Sequence, residues 1–288
     1  MAAPGFLALP ERSDKPRRHG ITHVLDSGLT IAQVRGALEV AGAYIDVWKF
    51  GWGTAYLDPG LPEKIRILGG NGVLACLGGT LLEVAFAQDE VEACLDWAGE
   101  VGLDCVEVSC GAVPMTRSEK DALIARAARR FVVLAEVGAK DPARQPSPAR
   151  WASDAARDLD AGATWVVTEG RESGTVGLYD AAGLVREDVL DAVTAAVGPE
   201  SLVFEAPRKD QQAYLIRRFG PNVNLANVAA ADVLGVEALR LGLRADTLDA
   251  GSLNAGRVRA GPVPASPVGS RPRGWPAGGG WSTGGRQG

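Results

Sequence analysis

The sequence predicts an α/β protein, a TIM-type barrel of eight parallel strands with a disordered C-terminal tail. Eight short runs rich in β-branched residues alternate with longer segments of helical periodicity, which is the pattern of repeated β/α units. The alternation lies within residues 1–248, and a closed barrel of eight such units typically fills about 250 residues as one domain. Eight units in this length favour one closed barrel over two open sheets.

The predicted strands are short runs of apolar and β-branched residues at 22–26, 45–50, 73–77, 104–109, 131–136, 164–169, 202–205 and 223–227. The predicted helices follow them in turn at 30–43, 61–69, 80–101, 117–130, 148–161, 186–197, 208–219 and 230–243. The helix at 80–101 places apolar residues on one stripe. Those residues are Leu81, Val84, Ala85, Leu95 and Ala98. Ser147 and Pro148 provide a cap and a first-turn proline for the helix at 148–161.

The composition changes sharply near residue 248. Residues 249–288 contain eleven glycines, five prolines and five arginines, against the single acid Asp249. A segment of this kind cannot bury enough apolar surface to fold, so we predict a disordered tail. A basic arm that contacts an acidic partner is the alternative. The predicted domains are therefore a catalytic barrel at 1–248 and the tail at 249–288.

The charge and composition exclude several classes of function. The chain has a formal net charge of −5 and is 46% hydrophobic. Because the tail is basic, the barrel is the more acidic part, and we expect no binding to nucleic acid. No stretch approaches the ~20 apolar residues of a membrane span, so we expect no membrane association. Only two histidines occur, His19 and His23, which leaves little for a Ser-His-Asp or multi-histidine zinc mechanism.

The cysteines and the first residues bear on the compartment. The four cysteines contain no C-x-x-C pair, and the first ten residues lack the basic leader and the apolar run of a signal peptide. We therefore expect reduced thiols and a cytoplasmic location.

Carboxylates end most of the predicted strands, where the active site of such a barrel lies. They are Asp26, Glu107, Glu136, Glu169 and Glu205. Five carboxylates at one mouth would repel one another, so the pattern predicts a bound cation, buried basic partners or raised pKa values. Oxygen ligands favour Mg²⁺ as the cofactor. An internal salt-bridge network with Lys49 is the structural alternative.

A glycine-rich run, Glu169-Gly-Arg-Glu-Ser-Gly-Thr-Val-Gly177, follows the sixth predicted strand. Its glycines allow the backbone to approach a ligand, while Arg171, Ser173 and Thr175 supply donors suited to phosphate. We predict a binding loop here, with a plain turn as the alternative.

Two lysines lie at or just beyond strand ends. Lys49 lies between Trp48 and Phe50 in an otherwise apolar strand, so it should point into the barrel mouth and pair with a carboxylate or an anionic substrate. Lys140 follows Glu136 by four residues. A simple salt bridge for Lys49 and a solvated loop position for Lys140 are the alternatives.

Three further residues are weaker candidates for contact with a polar or anionic substrate. Asn224 and Asn227 lie near the last predicted strand, and Lys209 lies in the first turn of a helix, where an anion can bind. The asparagines fit a capped turn equally well, and Lys209 fits a plain surface helix equally well.

Several specific runs occur in order and without large gaps across about residues 14–247. They are Lys49-Phe-Gly-Trp-Gly-Thr54, Leu77-Gly-Gly-Thr80, Glu136-Val-Gly-Ala-Lys-Asp141, Glu169-Gly-Arg-Glu-Ser-Gly-Thr-Val-Gly177, Phe204-Glu-Ala-Pro207, Gln211-Gln212, Gly220-Pro-Asn-Val-Asn-Leu-Ala-Asn227 and Leu239-Arg-Leu-Gly-Leu-Arg-Ala-Asp-Thr247. Together they resemble the phosphosulfolactate synthases. The resemblance implies a barrel enzyme, a lyase that uses Mg²⁺ to add sulfite to phosphoenolpyruvate and forms (2R)-2-O-phospho-3-sulfolactate. In methanogens this reaction opens coenzyme M biosynthesis. The resemblance also implies a homo-oligomer, with a trimer as the expected form.

The resemblance, together with the strand-end positions, assigns roles to the candidates. Lys140 is the expected general acid, which protonates C2 after sulfite attacks C3, and Lys49 and Glu136 complete the catalytic group. The candidate metal ligands are Asp26, Glu169 and Glu205, and the candidate substrate contacts are Arg171, Ser173, Gly174, Lys209, Asn224 and Asn227. Charge that builds on the substrate carboxylate requires a cation and a basic side chain beside it. We expect Mg²⁺ to lower the pKa of Lys140 toward the working pH.

One position departs from the family pattern. The chain has Ser109-Cys110-Gly111 where the family leads us to expect Ser-Asp-Gly or Ser-Asn-Gly. The loss of a polar side chain there could alter metal or sulfite binding. A related lyase that adds another nucleophile to an enol phosphate is therefore one alternative function, and a non-catalytic stress-associated homologue is another.

Overall fold

The computed structural model describes residues 5–248. Its strands are β1 Thr22–Asp26, β2 Val47–Phe50, β3 Leu74–Leu77, β4 Cys105–Val108, β5 Val132–Val137, β6 Trp165–Thr168, β7 Leu202–Glu205 and β8 Leu225–Ala229. All neighbouring strands are parallel, and β1 pairs with both β2 and β8, so the sheet closes in sequence order. The predicted eight-stranded barrel is confirmed. The predicted disordered tail, 249–288, lies outside the described residues.

The helices are α1 Ile31–Ala41, α2 Thr54–Leu57, α3 Leu61–Gly70, α4 Gly79–Ala87, α5 Val91–Glu100, α6 Arg117–Ala127, α7 Pro148–Asp160, α8 Glu187–Val197, α9 Lys209–Phe219 and α10 Val233–Arg240. Ser147 caps α7 by accepting a hydrogen bond from the backbone amide of Arg150, as predicted. None of the helices within residues 5–248 is both long and apolar enough to cross a membrane.

The prediction of one helix at 80–101 is wrong, because the segment forms two helices. Asp89 lies between α4 and α5 with a left-handed φ of 59°, a conformation that a right-handed helix cannot contain. The change of direction also alters the predicted apolar stripe. Leu95 and Ala98 are buried, but Val84 is 42% exposed.

An apolar ring fills the lower part of the barrel. It consists of Ile21, Val47, Cys76, Cys105, Leu134, Val167, Val203 and Ala226. Each charged residue of a second ring follows a member of the apolar ring by two positions. The charged residues are Lys49, Glu107, Glu136, Glu169 and Glu205. Residues two apart on a strand face the same side, so the fold stacks a charged layer directly on an apolar one.

Candidate active site

A pocket of about 260 Å³ opens at the carboxyl ends of the strands. The charged ring forms its floor, and the loops that follow β2, β4, β5 and β6 form its walls. This is the end of the barrel at which enzymes of this architecture carry their active sites.

Backbone strain is concentrated at this pocket. Trp52, Arg171 and Asn227 have left-handed φ angles of 54°, 56° and 55°, and all three line the pocket. Within residues 5–248 only one other non-glycine residue, Asp89, has a positive φ. Bulky residues pay a steric cost in this region, and such strain typically persists where a binding site requires it.

Three buried carboxylates converge beside one lysine on the pocket floor. Oxygen atoms of Glu107, Glu136 and Glu205 lie within 4.8 Å of one another. Lys49 Nζ lies 2.8 Å from Glu107 Oε2 and 3.5 Å from Glu205 Oε1. The single ammonium group of Lys49 therefore does not balance the negative charge of the three carboxylates.

The electrostatics of the floor show the excess of negative charge. Burial raises the pKa of Glu136 to about 7, with a further upward contribution from Glu107 and Glu205. Burial, followed by Glu136 and Glu205, raises the pKa of Glu169 well above its usual value. Burial alone would lower the pKa of Lys49, but the neighbouring carboxylates, Glu107 foremost, outweigh it and raise the pKa. The floor therefore favours an additional positive charge.

Lys140 lies above this floor. Its Nζ is 3.4 Å from Glu136 Oε1 and 3.6 Å from Glu83 Oε1. Burial alone would lower the pKa of Lys140, but Glu136 and the other carboxylates around it raise the pKa above its ordinary value. The carboxylates close to the ammonium cause this rise in the chain alone, and the lowering expected from Mg²⁺ stays a prediction for the metal-bound enzyme. The chain itself therefore holds Lys140 in the protonated form that a proton donor needs.

Hydrogen bonds to buried carboxylates hold the loop after β6 in place. The guanidinium of Arg171 in this loop takes no part in them. Glu205 Oε2 accepts hydrogen bonds from the backbone amides of Gly170, at 2.8 Å, and Arg171, at 2.9 Å. Glu169 Oε1 accepts a second contact from the Arg171 amide at 2.8 Å. Within the part of the chain that the structure describes, the Arg171 guanidinium makes no hydrogen bond or ion pair. It lies exposed at the pocket rim, available for an anionic group.

Most of the predicted site residues meet in this pocket. Those that line it are Lys49, Glu136, Lys140, Glu169, Arg171, Glu205 and Asn227. Two of them carry a buried oxygen without a hydrogen-bond partner among the described residues, Glu169 Oε2 and Asn227 Oδ1. A buried acceptor without a donor is costly, so both atoms are suited to a ligand.

Asn224, in contrast, lies at the opposite end of the barrel. Its amide donates to Leu202 O at 2.8 Å, and its Oδ1 accepts from the Ile21 amide at 3.0 Å. Both contacts are at the amino-terminal ends of strands. Because Asn224 immediately precedes β8, the structure places it at the amino-terminal end of the barrel and does not bring it to the pocket with the other predicted site residues.

Asp26 also lies outside the group of converging carboxylates, Glu107, Glu136 and Glu205, although it lies at a strand end. Its Oδ1 accepts from the amides of Gly28 and Leu29, both at 2.7 Å. Its Oδ2 accepts from Trp48 Nε1 at 3.0 Å and lies 3.4 Å from Lys64 Nζ. These contacts engage both oxygens, and the structure does not bring Asp26 together with the converging carboxylates Glu107, Glu136 and Glu205.

Three further predicted substrate contacts do not line the pocket. Lys209 Nζ pairs with Asp246 Oδ1 at 2.8 Å on the surface. Ser173 is exposed, and its hydroxyl bonds to Thr175 at 2.8 Å. Gly174 is buried, and its carbonyl accepts from Gln211 at 2.7 Å. The structure therefore places Lys209 and Ser173 in surface contacts, and the carbonyl of Gly174 in a contact that fixes the loop.

The thiol of Cys110 contacts its own loop. It lies 3.5 Å from Met115 O and 3.8 Å from Val113 O, and Cys110 does not line the pocket. The departure from the family pattern therefore lies in a neighbouring cleft, which Cys110 lines together with Lys140.

Two residues of the site were not assigned roles from the sequence. Glu107 was recognised as a strand-end acid, and its position two residues after Cys105 would have indicated that it faces the barrel interior. Glu83 is fully buried on α4, and an acid among the apolar residues of that helix was the signal available for it.

Comparisons with known proteins identify the family of this chain. The family model described as (2R)-phospho-3-sulfolactate synthase (ComA) matches residues 10–246. The chain belongs to the phosphosulfolactate synthase family. It is 41% identical to the phosphosulfolactate synthase of Bacillus subtilis over 244 residues, covering 84% of this chain and 97% of the relative. It is also 41% identical to the synthase of Methanothermobacter thermautotrophicus over 245 residues, covering 83% and 95%. As a member of this family the chain is an enzyme, a lyase.

More distant similarities agree with the fold. Protein HEAT-STRESS-ASSOCIATED 32 of Arabidopsis thaliana is 25% identical over 265 residues, covering 80% of this chain and 88% of the plant protein. A crystal structure of 3-hexulose-6-phosphate synthase matches with a TM-score of 0.51 and 16% identity, covering 76% of this chain and 99% of that one. At this identity the second similarity shows the fold alone.

Proposed function

We propose that the chain catalyses the Mg²⁺-dependent addition of sulfite to C3 of phosphoenolpyruvate and forms (2R)-2-O-phospho-3-sulfolactate. The observation that carries the proposal is the combination of Lys140, held as an ammonium above buried carboxylates, with the unpaired guanidinium of Arg171 at the rim of the same pocket. The two cations match a substrate with a phosphate and a carboxylate. Membership of the family supports the reaction.

The donor atoms of the pocket fit Mg²⁺. Glu107, Glu136 and Glu205 offer carboxylate oxygens within 4.8 Å of one another, and hard oxygen donors are the ligands that this ion prefers. The partnerless Glu169 Oε2 and Asn227 Oδ1 line the same pocket. When bound, Mg²⁺ would supply positive charge that stabilises the substrate carboxylate as negative charge develops on it.

The reaction requires the chain to bind two anions and to deliver one proton. The sulfur lone pair of sulfite forms a bond to C3, the π electrons of the C2=C3 bond move toward the substrate carboxylate, and C2 takes up a proton. The phosphate ester remains intact. Lys140 holds that proton at Nζ and is the proposed general acid.

The other residues position the substrate and balance the charge. Arg171 binds an anionic group of a substrate at the pocket rim, and Asn227 contributes a polar contact through Oδ1. Lys49 is fixed by Glu107 and Glu205, so it acts through its charge and does not need to move. Glu136 orients Lys140 from 3.4 Å.

The test is product formation by the purified protein. Incubation with phosphoenolpyruvate, sulfite and Mg²⁺ should give 2-phospho-3-sulfolactate, detected by ³¹P and ¹H NMR, without release of inorganic phosphate. Lys140→Ala should lower kcat by about 10²- to 10⁴-fold, the range that a general acid contributes. Absence of the product over a range of divalent metals would refute the proposal.

We further propose that the chain forms a homo-oligomer, with a trimer as the expected form. Apolar side chains around α2 and α4 support an interface with a second copy. Tyr56 is 72% exposed, Leu57 78% and Val84 42%. Sedimentation velocity of the wild type and of Leu57→Glu should show an assembly that the substitution weakens.

A further inference from the structure

A buried acid outside the metal-binding group holds the loop after β4. Glu83 on α4 accepts three backbone hydrogen bonds through Oε2, from the amides of residues 111, 112 and 113 at 3.0, 2.6 and 2.9 Å. Its Oε1 accepts a hydrogen bond from the hydroxyl of Ser109. Successive backbone amides that converge on one carboxylate fix the path of a loop.

The same carboxylate faces Lys140. The Oε1 atom that accepts from Ser109 also lies 3.6 Å from Lys140 Nζ. Lys140 thus has one carboxylate on the loop side, Glu83, and another on the pocket floor, Glu136 at 3.4 Å. The ammonium is located by both.

The loop also shapes the path of the Lys140 side chain. A Cβ atom at Gly111 would lie 2.6 Å from Lys140 Cδ and 2.8 Å from Cε. These distances are well inside van der Waals contact, so the stem of Lys140 packs directly against the backbone of Gly111. Because Gly111 itself is exposed, a methyl group added there would displace the side chain of Lys140 and would not disturb the core.

We propose that Glu83 is a positioning residue for Lys140, acting through residues 111–113 and a direct ion pair, and that Gly111 provides the space in which Lys140 reaches the pocket. The inference rests on the proposed role of Lys140 as proton donor. Glu83 and Gly111 touch neither substrate nor metal ligand in this arrangement, so their effect should appear in the proton-transfer step more than in substrate binding.

Gly111→Ala is the sharpest test. The new methyl group must displace the flexible lysine stem, so kcat should fall at least tenfold while KM for phosphoenolpyruvate stays within about twofold and Tm is unchanged. Gly53→Ala is the matched control, because Gly53 lies in the loop after β2, is not among the residues that line the pocket, and a Cβ there meets no heavy atom within 4 Å. That variant should keep wild-type kcat and KM.

Glu83 is tested by a conservative and a truncating exchange. Glu83→Gln retains an acceptor for the loop amides and should lose less kcat than Glu83→Ala. A second readout does not depend on activity. The rate at which an amine-acylating reagent modifies Lys140, followed by peptide mass spectrometry, should rise in Glu83→Ala and in Gly111→Ala, since Lys140 is only 18% exposed in the native arrangement. If Glu83→Ala does not fold, Gly111→Ala and Glu83→Gln carry the test.

The outcomes separate this proposal from the proposed reaction. An active wild type whose Gly111→Ala and Glu83→Gln variants keep kcat and Lys140 acylation rates within twofold would overturn the positioning role. Equal losses of kcat, substrate affinity and Tm would also overturn it, because they indicate a purely structural role. A wild type that forms no phosphosulfolactate would refute the reaction, while the acylation rates would still report whether Glu83 and Gly111 hold Lys140.

Discussion

Lys49 Nζ lies 2.8 Å from Glu107 Oε2, and both side chains are almost fully buried, with exposures of 6% and 5%. Burial of two charges is favourable only when each has its partner, and removal of one partner leaves an uncompensated charge in a region of low dielectric. At this position the uncompensated charge would join other carboxylates, Glu136 and Glu205. The pair therefore governs both the stability of the barrel and the charge of its mouth.

Lys49→Met should accordingly destabilise the metal-free protein by about 3–5 kcal/mol, the cost of breaking a buried ion pair. Urea unfolding measures this, and added Mg²⁺ should recover part of the loss, because a ligand that binds only the folded state stabilises it. Arg218→Met is the control. It breaks the exposed pair with Asp191 and should cost less than about 1 kcal/mol. A similar small cost for Lys49→Met would contradict the argument.

Exchanges of single carboxylates should distinguish the metal-binding group from the other strand-end acids. Glu136→Gln should weaken Mg²⁺ binding at least tenfold in a calorimetric titration, since it removes one of three converging carboxylates. Asp26→Asn should leave Mg²⁺ affinity within twofold but lower stability, because Lys64 loses a buried partner. Equal effects of the two exchanges on metal affinity would place Asp26 back among the ligands.

Two exchanges of Arg171, to alanine and to glycine, should have the same effect on substrate binding but different effects on stability. Both Arg171→Ala and Arg171→Gly remove the unpaired guanidinium, so KM for phosphoenolpyruvate should rise about 10- to 100-fold in each. With a φ of 56° at this position, glycine relieves a steric cost that alanine retains, and Arg171→Gly should be about 1 kcal/mol more stable than Arg171→Ala. Thermal unfolding compares the two variants directly, and equal Tm values would show that the backbone here is unstrained.

His23 should produce a pH-dependent loss of stability on the acid side. Both ring nitrogens are buried and have no hydrogen-bond partner among the described residues. Burial, and then the charge of Lys49, lowers the pKa of His23 well below its ordinary value. As the pH falls through about 6.5, His23 is protonated in the unfolded chain but stays neutral in the folded chain. Protonation therefore favours the unfolded chain, and stability that is present above this pH is lost as the pH falls.

His23→Leu should remove this dependence. At pH 7 the free energy of unfolding of the variant should exceed that of the wild type by at least about 1 kcal/mol, because the two buried ring nitrogens without partners among the described residues are removed. The difference should grow below pH 6.5 by up to about 1.4 kcal/mol per pH unit. Urea unfolding at pH 5, 6, 7 and 8 tests the slope, with the exposed His19→Gln exchange as the control for loss of a histidine. A difference that does not change with pH would refute the account.

The strand pattern allowed the barrel to be predicted well, because each buried strand of a parallel sheet is a short run of β-branched and apolar residues whose ends are visible in the sequence. All eight strands begin and end within two residues of the prediction. The joined helix at 80–101 was the failure. The left-handed residue that divides it is Asp89. Aspartate enters this conformation more readily than most residue types, but the break contains neither glycine nor proline, which are the strongest breaker signals.

The site was predictable only in part, since strand ends identify which residues reach the mouth but not what each side chain contacts there. Lys49, Glu136 and Glu205 meet as expected. Asp26 lies apart from the converging carboxylates and faces Lys64, a partner contributed by a separate helix that the local sequence does not reveal. Asn224 lies just before β8, which starts at Leu225. Its place early in the predicted strand at 223–227 already indicated the amino-terminal end of the barrel, and grouping it with Asn227 overlooked this.

The stacking of a charged ring on an apolar ring separates two kinds of sequence change. Within one strand, Leu134 maintains the packing and Glu136, two positions later, faces the pocket. Exchanges in the lower ring should therefore act on packing alone, whereas exchanges in the upper ring act on the charge of the pocket as well as on stability, since Lys49 and Glu107 form a buried ion pair there. A lineage can acquire new ligands on this scaffold only by changes in the upper ring that keep its buried charges paired.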